Sequence, residues 1–446
     1  MRAAILAAGE GSRLRSHFNG PKPLFPILGL PLIVRNILQL REAGIHEFVI
    51  ITGCYDRELR DVLGDGSQWN VQITYVYNAR WQLGNGVSAQ AYQHVYQPGE
   101  KFILLMADHL FEPGAFRSFV AQAEQLEEGS ILLAADRKLH KVHDVDESTK
   151  IAAENRLASQ LGKNLSDFNA VDCGLFLCTG AILDALSQAM EEGRYGLTDA
   201  VNILAGRGKV KLHFVEQAWV DVDDPQSIPH AEKMLLGALV PAKDGFVSRH
   251  FNRKISLRIT QRIAASKMTP NQISSFSFLV SLFAALSFGM GYPWAGGLFA
   301  QFSSILDGVD GEIARLKFQQ SLSGELFDSI LDRYADYFII MGMTYWWFVH
   351  SDQPAVALLV GMLALSGQPM SMLLKEKYKT MTGKTYIPDE EDGWFRYIPA
   401  NRDGRLFLIL LGGMLNLIPA TLIVLAVLTH GQTLGRLITL YRKLSD

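Results

Sequence analysis

Asp307-Gly-Val-Asp310-Gly311-Glu-Ile-Ala314-Arg315 is followed, after eight residues, by Gly324-Glu-Leu-Phe-Asp328-Ser-Ile-Leu-Asp332. These two stretches decide how the second half of this 446-residue chain is read. Four carboxylates lie there among apolar residues long enough to be membrane helices. An ionisable group inside a span is expensive, so it marks a functional site by default. Asp307 and Asp310 are three apart and Asp328 and Asp332 four apart, so on helices each pair shares one face. Four carboxylates converging in a low-dielectric site repel one another unless they hold a divalent cation, Mg²⁺ or Mn²⁺.

From about residue 270 apolar runs dominate, whereas the residues before it read as a soluble mixed domain. Six spans fit the runs, at 271–289, 293–315, 324–349, 354–375, 404–417 and 419–440. Loop charge sets their orientation. The connections near 290–293, 350–353 and 416–419 hold no Lys or Arg. The connection from 375 to 405 holds Lys375, Lys377, Lys379, Lys384, Arg396, Arg402 and Arg405, and Lys317 lies in 316–323. With an even number of spans, the N-terminal half, every basic connection and the C-terminal Arg442 and Lys443 share the cytoplasmic side. The expectation is an integral membrane protein in contact with lipid.

The spacing and residue types of the opening stretch match, position for position, the signature of the CDP-alcohol phosphotransferase family, which this half resembles. The resemblance implies an all-α, six-helix transmembrane domain over residues 271–446 and a homodimer. It implies that Asp307, Asp310, Asp328 and Asp332 hold one or two divalent ions against the diphosphate of a CDP-alcohol. Asp332 would also be the general base for an acceptor hydroxyl, whose oxygen attacks the β-phosphorus and expels CMP. Gly311, Ala314 and Gly324 are small, which lets helices and nucleotide approach closely. Arg315 would pair with a phosphate or a carboxylate.

The first half carries a different pattern. Arg2–Ala8 reads as a buried parallel strand, then the loop Gly9-Glu-Gly11-Ser-Arg13-Leu and an expected helix. Strand-like residues 47–52 and 101–107 alternate with helix-like residues 56–63 and 114–126. This argues an α/β, Rossmann-like fold with a mostly parallel sheet over residues 1–238. A Gly-rich loop lets backbone approach a phosphate, and here Gly20-Pro-Lys22-Pro-Leu24 follows it.

Together these residues resemble the sugar-nucleotide pyrophosphorylase type of nucleotidyltransferase, whose pattern is L-A-A-G-x-G-T-R-L and then P-K-P-L. Ser12 replaces the usual Thr and keeps its hydroxyl. The resemblance implies that Leu6, Ala7, Ala8, Gly9, Gly11, Asn85 and Gly86 contact the nucleotide. Asp108, Asp221 and Asp223 would hold Mg²⁺, and Lys150 and Asp172 would touch the acceptor. A polyol phosphate would attack the α-phosphorus of a nucleoside triphosphate and expel pyrophosphate. Arg13 and Lys22 would neutralise the charge that builds up.

Residues 239–270 join the halves. Ile255, Ile259 and Ile263 recur every four residues among Arg253, Lys254, Arg258 and Arg262, which predicts a basic amphipathic helix on the membrane surface. Thr269 is placed to cap the next helix, with Pro270 in its first turn. A formal net charge of -3 carries no nucleic-acid signature. Cys54, Cys173 and Cys178 lack metal-ligand spacing and read as reduced thiols.

The economical reading is that the first half makes what the second consumes, so its nucleotide is CTP. Along nearly its whole length the chain resembles bifunctional enzymes that pair an inositol-1-phosphate cytidylyltransferase with a synthase of a phosphorylated di-inositol phosphodiester. That implies CDP-inositol as the intermediate and a second inositol 1-phosphate as acceptor, with CMP released. Such an acceptor needs a basic pocket, for which Arg249, Arg253, Arg333, Lys375, Arg402 and Arg405 are candidates. Two alternatives stand beside this reading. One is a phospholipid synthase that joins a CDP-activated head group to a lipid alcohol. The other is a transferase whose first domain is inactive and regulatory.

Overall fold

Runs such as Ala3-Ala-Ile-Leu-Ala7 and Phe48-Val-Ile-Ile51 have no polar face, so their strands must be covered on both sides. The computed structural model describes all residues except 15–17, 143, 242–243, 385, 388–400 and 446. The chain forms two compact units, Met1–Ala238 and Leu239–Asp446.

The first unit holds a nine-stranded sheet: β1 (Arg2–Ala7), β2 (Glu47–Thr52), β3 (Gln72–Tyr77), β4 (Phe102–Met106), β5 (Ile131–Asp136), β6 (Lys150–Glu154), β7 (Leu157–Gly162), β8 (Ala170–Cys178) and β9 (Val210–Phe214). Their order is β3-β2-β1-β4-β8-β5-β9-β7-β6. β1, β2, β3 and β4 pair in parallel. β8 runs antiparallel to both β4 and β5. The sheet is therefore mixed rather than mostly parallel. A parallel return needs a crossover, but β6 and β7 are joined by a hairpin whose Asn155 and Arg156 take φ 49° and 63°.

Two helix expectations also change. The helix expected after the Gly-rich loop is only a turn at Ser12–Leu14. Pro21 and Pro23 bar an α-helix from running through residues 20–22, and among the described residues the first α-helix is Leu32–Glu42. The helix expected over 114–126 shortens to Ala115–Val120 with a separate turn at Ala123–Gln125. A short ribbon pairs His109–Phe111 with Trp219–Asp221, placing His109 opposite Asp221.

The second unit is helical: α1 (Arg253–Ile263), α2 (Pro270–Gly289), α3 (Pro293–Leu316), α4 (Leu322–His350), α5 (Pro354–Thr382), α6 (Arg402–Met414) and α7 (Ile418–Ser445). Helices α2 to α7 stand where the six apolar runs were read. Among the described residues three of them, α2, α5 and α7, are long and apolar enough to cross a membrane. Carboxylates and other polar side chains interrupt α3 and α4, and α6 has 13 residues. Helix α5 continues past residue 375 to Thr382, so Lys375, Lys377 and Lys379 lie on a helix and not in a loop. Arg396 falls outside the described residues.

Thr269 caps α2. Its Oγ1 accepts from Gln272 N at 3.4 Å, and Gln272 Oε1 accepts from Thr269 N at 3.0 Å. Helix α1 forms where expected but buries a different face. Ser256 and Thr260 are fully buried, while Ile255, Ile259 and Ile263 are only partly so. The cause is Glu312 of α3, which is 0% exposed. It accepts from Arg253 Nη1 at 2.6 Å, Ser256 Oγ at 2.6 Å and Thr260 Oγ1 at 2.5 Å. Positions 253, 256 and 260 share one helical face, so a single buried carboxylate clamps α1 onto α3. Removing it leaves two buried hydroxyls without their acceptor and Arg253 with only Asp244 and the Gly308 carbonyl. Glu312→Ala is expected to cost about 3 kcal/mol and Glu312→Gln clearly less, measured by denaturant unfolding in mixed micelles. Equal stability of Glu312→Ala and the parent would contradict the clamp.

Candidate functional site

In the first unit, β1 opens into the Gly-rich loop, where Gly11 takes φ +60°. A Cβ on Gly11 would stand 2.5 Å from Lys22 Cβ, so only glycine lets the lysine pass beneath the loop. Lys22 is 8% exposed. Its Nζ lies 2.6 Å from Asp108 Oδ2 and 3.9 Å from Asp221 Oδ1, and it also pairs with Asp223. Burial alone would lower the Lys22 ammonium, but Asp108, Asp221 and Asp223 outweigh it and hold its pKa above the ordinary value. Burial would raise the Asp108 carboxyl, yet the Lys22 charge keeps it well below the usual range. Arg13 Nη1 lies 3.2 Å from Asp223 Oδ2.

The ribbon sets a third group beside these. His109 Nδ1 is 2.9 Å from Asp108 Oδ1 and 3.8 Å from Asp221 Oδ1, and its ring stacks on Trp219. Gly174, at φ +68°, leaves that ring its space: a Cβ there would lie 2.6 Å from it. Burial works against the His109 charge, but Asp221 and Asp108 raise its pKa to about 9. Burial raises Asp221 to about 7 against the pull of His109, and Asp108 adds to the rise. Asp108, His109 and Asp221 each offer a ligand atom within 4.8 Å of the others, so they could hold a metal ion. A bound metal would displace the imidazole proton. His109 adjoins Asp108 in the chain, and its neighbourhood to Asp221 comes only from the ribbon register. Asp223 turns toward Lys22 and Arg13 instead.

Two adjoining clefts meet here. One is lined by the expected loop residues Leu6, Ala7, Ala8, Gly9, Gly11 and Arg13, with Lys22, Asn85, Asp108 and Asp223. The other contains Asp108, His109, Asp172, Asp221 and Lys163. Burial pushes Asp172 up to about 6, and its Oδ1 accepts from Gly174 N at 2.7 Å. Lys150 is outside both linings, because its Nζ donates to the Lys163 carbonyl. Asn85 lines both clefts, but its Oδ1 accepts from Leu197 N at 2.9 Å. Gly86 lines neither and packs on the Tyr195–Gly196 backbone, where a Cβ would come within 2.6 Å.

In the second unit, ligand atoms of Asp307, Asp310 and Asp328 lie within 4.8 Å of one another. The buried Asp310 accepts from Ser274 Oγ at 2.5 Å. Hard oxygen donors this close, one of them buried, suit Mg²⁺ or Mn²⁺. Asp332, expected among the ligands, is not one of these three. Arg402 Nη1 lies 2.9 Å from Asp332 Oδ1 and 2.8 Å from Asp307 Oδ1. Gly324 approaches Ser321 and Asn271, and Gly311 faces the Arg315 guanidinium.

The acceptor candidates scatter. Arg402 and Arg405 are engaged with carboxylates, the latter 2.9 Å from Asp336. Arg253 is spent on Asp244, Glu312 and the Gly308 carbonyl. Arg333 Nε reaches Met372 Sδ at 2.9 Å, and Arg249 is exposed. Lys375 belongs to a basic cluster. It lies 5.8 Å from the Tyr386 ring centre, Arg436 lies 5.5 Å from the same ring, and Arg436 Nη1 donates to Ser371 Oγ at 2.6 Å. Two residues here escaped the sequence reading. Arg436 is buried although it sits in the last apolar run. Asp336 continues the four-residue stride of Asp328 and Asp332, and that signal was available.

Residues 2–237 match the nucleotidyl transferase family and residues 267–430 the CDP-alcohol phosphatidyltransferase family. A protein of Archaeoglobus fulgidus described as a bifunctional IPC transferase and DIPP synthase is 36% identical over 94% of this chain and 79% of its own length. A protein of Rubrobacter xylanophilus with the same description is 33% identical over 99% of this chain and 96% of its own. Among solved structures, the inositol-1-phosphate CTP transferase from T. maritima is similar at 24% identity and a TM-score of 0.45, over 52% of this chain and 95% of its own.

The two acidic clusters predict two separable metal sites. In a Mn²⁺ titration of the full chain read by electron paramagnetic resonance, Asp108→Asn is expected to weaken one site at least about tenfold and spare the other. Asp310→Asn should do the reverse. A single site lost in both variants would contradict this arrangement.

Proposed function

Because this chain belongs to the family of bifunctional IPC transferases and DIPP synthases, we propose that its first unit joins CTP and inositol 1-phosphate into CDP-inositol and pyrophosphate. Its second unit then transfers the inositol-phosphate unit to a second inositol 1-phosphate and releases CMP. The chain is an enzyme with a nucleotidyltransferase and a CDP-alcohol phosphotransferase domain. The observation that carries the reading is the grouping of Asp307, Asp310 and Asp328, with Asp332 one turn further along α4.

In the first unit CTP lies along the Leu6–Gly11 loop, and inositol 1-phosphate enters the cleft that holds Asp172. Lys22 exchanges a carboxylate for a phosphate oxygen and neutralises charge as the acceptor oxygen attacks the α-phosphorus. Arg13, an exposed cation of the site, closes on the departing pyrophosphate. Asp108, Asp221 and His109 would hold a divalent ion here, and Asp307, Asp310 and Asp328 in the second unit. When bound, that ion neutralises non-bridging phosphate oxygens.

In the second unit Asp332 takes the proton of the acceptor hydroxyl. Its oxygen attacks the phosphorus that bears inositol, and the bond to the CMP phosphate breaks. Lys375 and Arg436 hold the acceptor phosphate. Arg333, next to Asp332 in α4, reaches Met372 of α5, and Arg436 reaches Ser371 of the same helix. The basic cluster favours a water-soluble phosphate over a lipid alcohol as acceptor. We read α2 to α7 as six spans with the first unit and the C-terminus cytoplasmic, and the protein as a homodimer.

Asp332→Asn should lower CMP release from CDP-inositol and inositol 1-phosphate by at least about 10³-fold, the scale of losing a general base with its charge, and leave pyrophosphate release from CTP intact. Lys22→Gln should do the opposite. Transfer that survives in Asp332→Asn would overturn the base assignment.

A further inference from the structure

Asp336 is a further carboxylate on α4, one turn beyond Asp332. Its side chain is 8% exposed, and two arginines surround it. Arg405 Nη2 lies 2.9 Å from Asp336 Oδ2, and Arg402 Nε lies 3.5 Å from Asp336 Oδ1. Packing alone does not call for this. A buried ion pair is often no more stabilising than apolar residues of the same volume, and in a membrane its cost is greater. The group must therefore be explained by what it does to its neighbours.

Those neighbours include the reacting groups. Residues 328, 332 and 336 lie on one face of α4. Arg402 stands at the first turn of α6, where Asn401 Oδ1 caps the helix by accepting from Gly404 N. Its Nη1 reaches Asp332 and Asp307 while its Nε reaches Asp336. Arg402 Nε makes no hydrogen bond, so what holds that edge is charge attraction to Asp336 3.5 Å away; without it the guanidinium can turn toward Asp307 and Asp328. Without Arg405 the Asp336 carboxylate keeps only its hydrogen bond with Gln368 and can itself rotate about it. Asp403, in the same turn, accepts from Ser304 Oγ at 2.8 Å and from Asn252 Nδ2 at 3.2 Å, which fixes that turn against α3.

We propose that Asp336 and Arg405 are positioning residues that hold Arg402 against Asp332, so that the Asp332 carboxylate faces the acceptor oxygen. The inference rests on the transfer reaction proposed above. Neither residue touches substrate. Both act through the direction of one guanidinium.

The test uses the full-length protein in detergent with CDP-inositol, inositol 1-phosphate and Mg²⁺. If the parent protein releases no CMP, the functional reading fails and the positioning proposal, which rests on it, is overturned with it. If it does, Asp336→Asn should lower kcat about 30- to 100-fold, the effect of misplacing a reacting group by about an ångström. The KM for CDP-inositol should stay within about twofold, because that ligand meets the other carboxylates. Arg405→Gln should behave the same way, and Arg405→Lys should recover part of the loss. In an Arg402→Gln background, Asp336→Asn should cause no further loss, since residues acting through one group are not additive. Pyrophosphate release from CTP and the thermal transition of each variant report folding. An unchanged kcat in Asp336→Asn, or a full further loss in the Arg402→Gln background, would overturn the proposal. If Asp336→Asn does not fold, Arg405→Gln and its cycle with Arg402→Gln decide in the same way.

Discussion

A single cation set among carboxylates is the arrangement on which both units depend. Two unit charges about 4 Å apart interact by about 1 kcal/mol in water and about 4 kcal/mol near a protein surface. Three or four carboxylates that close together would cost as much as a folded domain has to spare. Arg402 spans Asp307, Asp332 and Asp336 in the helical unit, and Lys22 spans Asp108, Asp221 and Asp223 in the first. Each cation lets the chain fold with its acidic groups converged. Each is also a side chain that a phosphate or a metal ion can compete with.

The surrounding structure serves to bring these cations to their places. In the first unit a two-stranded ribbon aligns His109 with Asp221, and Gly11 clears the path of Lys22. In the helical unit the first turn of α6 is the meeting point. Arg402 and Arg405 reach α4, and Asp403 reaches Ser304 of α3 and Asn252 just before α1. Glu312 fixes α1 to α3 from the other side. Buried polar contacts thus help to fix α1, α3, α4 and α6 relative to one another.

Much of this was legible in the chain. Carboxylates at helical spacing within apolar runs pointed to converging acids, and the Gly-rich loop with Pro-Lys-Pro pointed to a phosphate cleft. The start of α2 followed from proline and capping chemistry. What stayed hidden was long-range. Nothing local says that Glu312 would bury the Ser256 and Thr260 face of α1 instead of its isoleucines. Nothing local says that Arg402 would pair with Asp332 and leave the basic cluster to Lys375 and Arg436. The antiparallel β8 could be anticipated only from the missing crossover between β5 and β8. Asp336 was readable, because its stride continues that of Asp328 and Asp332.

The central claim is that one chain makes a CDP-alcohol and then consumes it. Phosphorus NMR of the purified protein in detergent with CTP, inositol 1-phosphate and Mg²⁺ tests it directly. The account predicts a diphosphate resonance that rises with pyrophosphate and then gives way to a phosphodiester as CMP accumulates. Absence of the diphosphate, or a diphosphate that persists with no phosphodiester while inositol 1-phosphate remains, would contradict it.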